Sequence, residues 1–265
     1  MKHMVLTLRS RRGVSKGEGA KNIFRQPARP TLYPPTSDLR GNMGETIKLT
    51  TSDGATIDAY KALPAGTPRG GIVVVQEIFG VNHHIRSVAD SFAADGYLAI
   101  APALFDRVER GIELGYQPKD IEDGLAIRAK TKIDETLADI AAAVTAASAA
   151  GKVGIVGYCW GGTLAYLAAA RIPGISAAVG YYGGGMAGVL ASKLNAPLLL
   201  HFGDQDHSIP MSDVEKIRQA HPDVPVHIYP GAGHGFSCDA RGSFHPESAK
   251  LAREGTDAFF RQHIG

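Results

Sequence analysis

The chain changes its hydrophobic rhythm several times, and each change predicts an element. From Glu45 the polar residues Thr46, Lys48 and Thr50 alternate with Ile47 and Leu49, and Ser52-Asp53-Gly54 then turns the chain into Thr56 to Ala62, a hairpin at a sheet edge. Gly71 to Val75 is a continuous β-branched run, as expected of a parallel strand buried on both faces. A helix is predicted around His84 to Ala94, a second buried strand over Tyr97 to Ala101, and one long helix over Asp120 to Ala149. Short strands follow at Val153 to Val156, Ala177 to Tyr181, Pro197 to Phe202 and Val226 to Tyr229, separated by helical or loop segments. Strand and helix alternate throughout, which predicts an α/β fold with a mostly parallel, doubly wound sheet and helices on both faces. In such a sheet ligands bind beyond the carboxyl ends of the strands.

Residues 1–42 break the pattern. They carry nine basic residues, Lys2, Arg9, Arg11, Arg12, Lys16, Lys21, Arg25, Arg29 and Arg40, against Glu18 and Asp38, with several prolines and no periodicity. A basic targeting peptide, a membrane-surface arm and an irregular extension are all compatible with that composition, and the extension is the simplest reading. The expected organisation is therefore an irregular N-terminal extension over 1–42 and one α/β domain over 43–265.

Composition narrows the function classes. With 44% hydrophobic and 20% charged residues the chain can build a sizeable core. Its formal charge of +2 and interleaved acids and bases beyond the first forty positions leave no stripe for a nucleic-acid backbone. No run approaches the roughly 18 apolar residues needed to span a bilayer, so neither nucleic acid nor membrane is an expected partner. Two cysteines are too few for a disulfide framework, which favours a reducing cytoplasm. The partner expected is a small molecule, the protein itself being a monomer or homodimer.

The chemistry gathers where strands end. Gly157-Tyr158-Cys159-Trp160-Gly161-Gly162 follows one strand and precedes the apolar helical run Leu164 to Ala170. This strand, tight turn and helix is the layout of a nucleophile elbow, with cysteine in place of the commoner serine. A thiol there meets the positive end of the following helix, which favours thiolate. An elbow predicts an acid after a later strand and then a histidine. Both are present: Gly203-Asp204-Gln205-Asp206-His207 follows one strand, and Gly233-His234-Gly235-Phe236 follows the next. His234 would take the thiol proton and later activate water, while the carboxylate fixes its tautomer. By position Asp204 and Asp206 both qualify as the acid. His83-His84, His201, His207 and His245 have no acid or cysteine partner at metal-ligand spacing, so neither metal nor cofactor is expected. Trp160 either lines the pocket or packs over the elbow, and Gly183-Gly184-Gly185 permits a close loop near it.

The segment Val74-Val75-Gln76-Glu77-Ile78-Phe79-Gly80-Val81-Asn82 places an acid at the end of a central strand. Together with the elbow, Asp206-His207 before Pro210, and Gly233-His234-Gly235-Phe236, it resembles the dienelactone hydrolase family over about residues 43 to 265. The resemblance implies an α/β-hydrolase fold and hydrolysis of a cyclic enol ester through a thioester on Cys159, with Asp206 rather than Asp204 as the acid. It implies that Glu77 contacts the resting thiol and is displaced by substrate, and that the backbone amides of Ile78 and Trp160 hold the oxyanion. Family members acting on dienelactone use arginines for the substrate carboxylate, one of them four residues after the histidine. Here that position is Cys238, and Arg241 lies near enough to compensate. Two other classes compete: a non-catalytic binding module on the same fold, and a thiol redox protein using Cys159 and Cys238.

Overall fold

A computed structural model describes residues 44–265; the expected extension over residues 1–42 lies outside the described residues. Eight strands form one sheet in the order β1-β2-β4-β3-β5-β6-β7-β8. The predicted hairpin is β1 (Glu45–Thr50) and β2 (Thr56–Ala62), antiparallel at one edge, and β2 pairs antiparallel with β4 (Leu98–Pro102). The remainder is parallel: β3 (Gly71–Val75) between β4 and β5 (Val153–Tyr158), then β6 (Ile175–Tyr181), β7 (Leu198–Gly203) and β8 (Val226–Tyr229). Every residue of β3, β4 and β5 is buried, the reason these strands read as unbroken apolar runs rather than alternating ones.

Helices cover both faces. α3 (Ile133–Ala147) packs on β3 and β4, and α4 (Trp160–Arg171) on β5 and β6, with α3 touching α4. α1 (His83–Ala94) also packs on β4, and α6 (Pro246–His263) on β6 and β7; these two meet through an edge-on contact of Phe92 with Phe260. α1 is capped by Asn82, whose side chain accepts from the Ile85 amide at 3.2 Å. α5 (Met211–Ala220) lies between β7 and β8 in the chain.

The single helix expected over Asp120 to Ala149 is two: α2 (Pro118–Arg128) and α3, followed by a 3₁₀ turn at Ser148–Ala150. No glycine or proline marks the break. Instead the Lys130 and Thr131 amides bond three residues back, to Ile127 and Arg128, and the Thr131 hydroxyl also donates to the Arg128 carbonyl. Lys132 is then extended (φ −109°, ψ 132°) and α3 starts afresh. The break lets the two helices serve different partners: α3 rests on the sheet, while α2 lies against Ile78 in the loop after β3. Gly124 of α2 is buried against the Ile78 backbone, where a Cβ would collide with the Ile78 carbonyl oxygen.

The topology also places the crevice. From β3 the chain first adds β4 on one side and then returns to add β5 on the other. The crossovers leaving β3 and β5 therefore diverge, and a cleft opens between their carboxyl ends.

Candidate active site

Cys159 follows β5 directly and is the residue before α4. Its backbone is left-handed (φ 55°, ψ −117°), a region costly for a residue with a Cβ. The turn is pinned on both sides: the Cys159 amide donates to the Tyr181 carbonyl at 3.0 Å, and the Gly162 amide to the Cys159 carbonyl at 2.9 Å. Glycine is obligatory beside it, since a Cβ on Gly157 would lie 1.8 Å from the Gly161 carbonyl oxygen. The half-buried thiol therefore stands at the amino end of α4, where the helix dipole favours negative charge.

His234 and Asp206 come to it from the loops after β8 and β7. His234 Nε2 lies 3.1 Å from Cys159 Sγ, and His234 Nδ1 lies 2.8 Å from Asp206 Oδ2. The other Asp206 oxygen accepts the Ser208 amide at 2.8 Å, so this buried carboxylate is fixed at both ends. Burial works to depress His234, but its hydrogen bonds to Asp206 and Cys159 outweigh that and raise it above the ordinary imidazole value. Asp204, the other positional candidate, accepts the Gly231 amide at 2.7 Å and fastens the turn after β8.

Glu77, just beyond β3, is fully buried. Its Oε1 accepts from Arg241 at 3.0 Å and its Oε2 from the Tyr116 hydroxyl at 3.1 Å. Among the described residues no hydrogen bond joins it to Cys159, so the resting contact with the thiol that the resemblance implies is a different arrangement from the one here. Arg241, expected to face a substrate carboxylate, is engaged with Glu77 while also lining the pocket.

The pocket has a volume of about 420 Å³ and contains both Cys159 and His234. Ile78, Phe79, Trp160 and the α2 residues Ile121 and Leu125 give it an apolar wall, and Arg128 and Arg241 give it two cations. Trp160 does both things expected of it, lining the pocket and stacking on Phe105 at 5.5 Å. Its amide, at the first position of α4, has no acceptor within its own helix. Gly184 and Gly185 also line the pocket, and the Thr163 hydroxyl holds the Gly184 carbonyl at 2.9 Å.

Tyr116, Tyr182 and the grouping of His84 with Cys238 and Glu77 were not anticipated from sequence. Tyr116 holds Glu77. Tyr182, with a positive φ of 36°, sets its ring edge-on to His234 at 5.3 Å and its hydroxyl on Ser237 at 2.8 Å. His84 and Cys238 meet Glu77 in space, each offering a donor atom within 4.8 Å of the others, although sequence spacing gave His84 no such partner. The Tyr116 and Tyr182 roles depend on tertiary neighbours.

Comparison with known proteins places the chain in a family. The model of the dienelactone hydrolase family matches residues 57–264. Carboxymethylenebutenolidase of Pseudomonas putida is 36% identical over 220 residues, covering 79% of this chain and 93% of that protein. A provisionally named dienelactone hydrolase from Klebsiella pneumoniae subsp. pneumoniae superposes with a TM-score of 0.72 at 34% identity, covering 83% of this chain and all of that one. The fold is also shared with a dienelactone hydrolase-like promiscuous phosphotriesterase from metagenomic libraries, with a TM-score of 0.65 at 22% identity, over 84% of this chain and 99% of that one. With its α/β-hydrolase sheet and a match spanning nearly all of the described residues, the chain belongs to the dienelactone hydrolase family of hydrolases.

Proposed function

We propose that the protein hydrolyses enol lactones or similarly activated carboxylic esters through a thioester on Cys159. The observation that carries this reading is the unbroken chain of hydrogen bonds from Asp206 through His234 to Cys159, opening into a pocket of small-molecule size. His234 takes the thiol proton, and Asp206 stabilises the imidazolium that results. The thiolate attacks the ester carbonyl, and the oxyanion forms against the amides of Ile78 and Trp160. An enolate or aryl oxide leaves with little acid assistance, so weakly basic leaving groups suit the site and amides do not. The imidazolium gives its proton to the departing oxide, and neutral His234 then takes a proton from water, whose attack on the thioester releases the acid and lets the proton return to the Cys159 sulfur.

Glu77 has a supporting role. Paired with Arg241 and Tyr116 it leaves the thiol to His234, so this arrangement corresponds to a reactive state of the site. Arg128 and Arg241 supply the charge to orient an anionic group on the substrate. Both cysteines are free thiols, and a thiol nucleophile works in its reduced form, which suits the cytoplasm.

A panel of enol lactones and aryl esters tests the reading. Turnover is expected in the native protein and absent in folded Cys159→Ala and His234→Ala. Activity retained by both variants, or ligand binding without turnover across the panel, would overturn it.

A further inference from the structure

At Glu77 the fold also assembles a buried group that includes two side chains, His84 and Cys238, to which the hydrolytic reading gives no role. Glu77 comes from the end of β3, His84 from the first turn of α1 and Cys238 from the loop after β8. All three are at most 2% exposed, and one donor atom of each lies within 4.8 Å of the other two. We propose that Glu77, His84 and Cys238 form a binding site for a thiophilic divalent cation of the zinc class. This inference is independent of the hydrolytic reading.

The donor set is the first argument. One thiolate sulfur, one imidazole nitrogen and one carboxylate oxygen are the ligand types of a three-residue zinc site, with a fourth position left for water. Contraction from 4.8 Å to the spacing set by metal bonds of about 2.0–2.3 Å is of the order of an ångström.

Charge is the second argument. A carboxylate and a thiolate together neutralise a divalent cation, so the occupied site carries no net charge into a buried region. Arg241 holds Glu77 Oε1 and Tyr116 holds Oε2, and each carboxylate oxygen keeps a second lone pair with which to ligate. Asp239 stands beside the site, its Oδ1 3.5 Å from His84 Nδ1. A carboxylate behind a ligating histidine is the usual means of fixing its ring and raising its basicity. Thiol and imidazole ligands bind a metal only in their deprotonated forms, so protons compete with the cation and affinity falls as pH is lowered.

The test uses the full-length, reduced protein carrying Cys159→Ser, which leaves Cys238 as the sole thiol. Anaerobic titration with Co²⁺ is expected to give a sulfur-to-cobalt charge-transfer band saturating at one equivalent, with Zn²⁺ bleaching it. On the same background His84→Gln and Glu77→Gln are each expected to weaken Co²⁺ binding by about ten-fold or more, circular dichroism confirming that each is folded. Absence of the band in folded Cys159→Ser overturns the proposal. So does a band whose titration midpoint is unchanged by either second substitution, because Cys238 would then be binding without the other two.

Discussion

Gly157→Ala probes the geometry of the elbow directly. A Cβ at this position would lie 1.8 Å from the Gly161 carbonyl oxygen, whereas real Cβ atoms essentially never come within 3.0 Å of such a neighbour. Both partners are backbone, so the strand end and the first turn of α4 must part by more than 1 Å. Overpacking of this kind costs about 1–3 kcal/mol, which for a unit of this size lowers Tm by roughly 2–12 °C. The larger effect is on rate. Cys159 lies between the two displaced glycines, its sulfur 3.1 Å from His234, and a misplacement of about 1 Å in a reacting group costs on the order of 100-fold. The assay is kcat/KM on an activated aryl ester, with Tm measured in parallel. Gly161→Ala, whose Cβ would lie 2.5 Å from the carbonyl oxygens of Val75 and Gln76, serves as a second variant, and Gly66→Ala, with nothing within 4 Å, as a control. Folded Gly157→Ala within two-fold of the native kcat/KM would refute the claim that this close approach positions the nucleophile.

Further expectations follow from the same geometry. Asp206→Asn removes the bond that most raises His234 and leaves the wrong tautomer at Nδ1; kcat should fall by about 10²-fold or more, with the pH profile of kcat/KM shifted, and an unshifted profile would contradict the role. Arg241→Met strands the fully buried Glu77 carboxylate, and losing one partner of a buried pair costs about 3–5 kcal/mol, or roughly 6–20 °C in Tm; Arg128→Met, on the pocket rim, should lose almost nothing. His201 is buried between the Tyr229 and Thr256 hydroxyls, and burial lowers its pKa to about 3. The unfolded chain therefore binds a proton that the folded one refuses, and stability falls as pH drops from about 6.5 toward 3, by at most about 1.4 kcal/mol per pH unit for this group. Urea midpoints measured at several pH values should fall less steeply in His201→Gln, and equal slopes would show that His201 is not the group responsible.

How much of this was legible in the sequence depended on whether a feature is local. Strands β3 and β8 stood at their expected bounds because buried parallel runs and flanking turn residues declare themselves within a few positions. Cys159, Asp206 and His234 were legible because each follows a strand and sits among turn-forming glycines or aspartates, which chain order alone can rank. Asp204 and Asp206 differ by only two positions, and only the fold shows one bonding the Gly231 amide and the other His234. The break between α2 and α3 was hidden because Thr131 ends the helix with its own hydroxyl, in a stretch containing neither glycine nor proline. Tyr116, Tyr182, His84 and the Arg241 pairing were illegible for a different reason. Each takes its meaning from a residue dozens of positions away, and nothing in the local pattern distinguishes a tyrosine that holds a carboxylate from one that fills a core.

Acylation of Cys159 is read out by rapid-quench peptide mass spectrometry during turnover of a slowly hydrolysed aryl ester. The Cys159 peptide is expected to carry the acyl group at close to one per chain in the first turnover and to lose it on chase with buffer. Steady hydrolysis with no acylated Cys159 peptide, or with the acyl group on another residue, would contradict a thioester on Cys159.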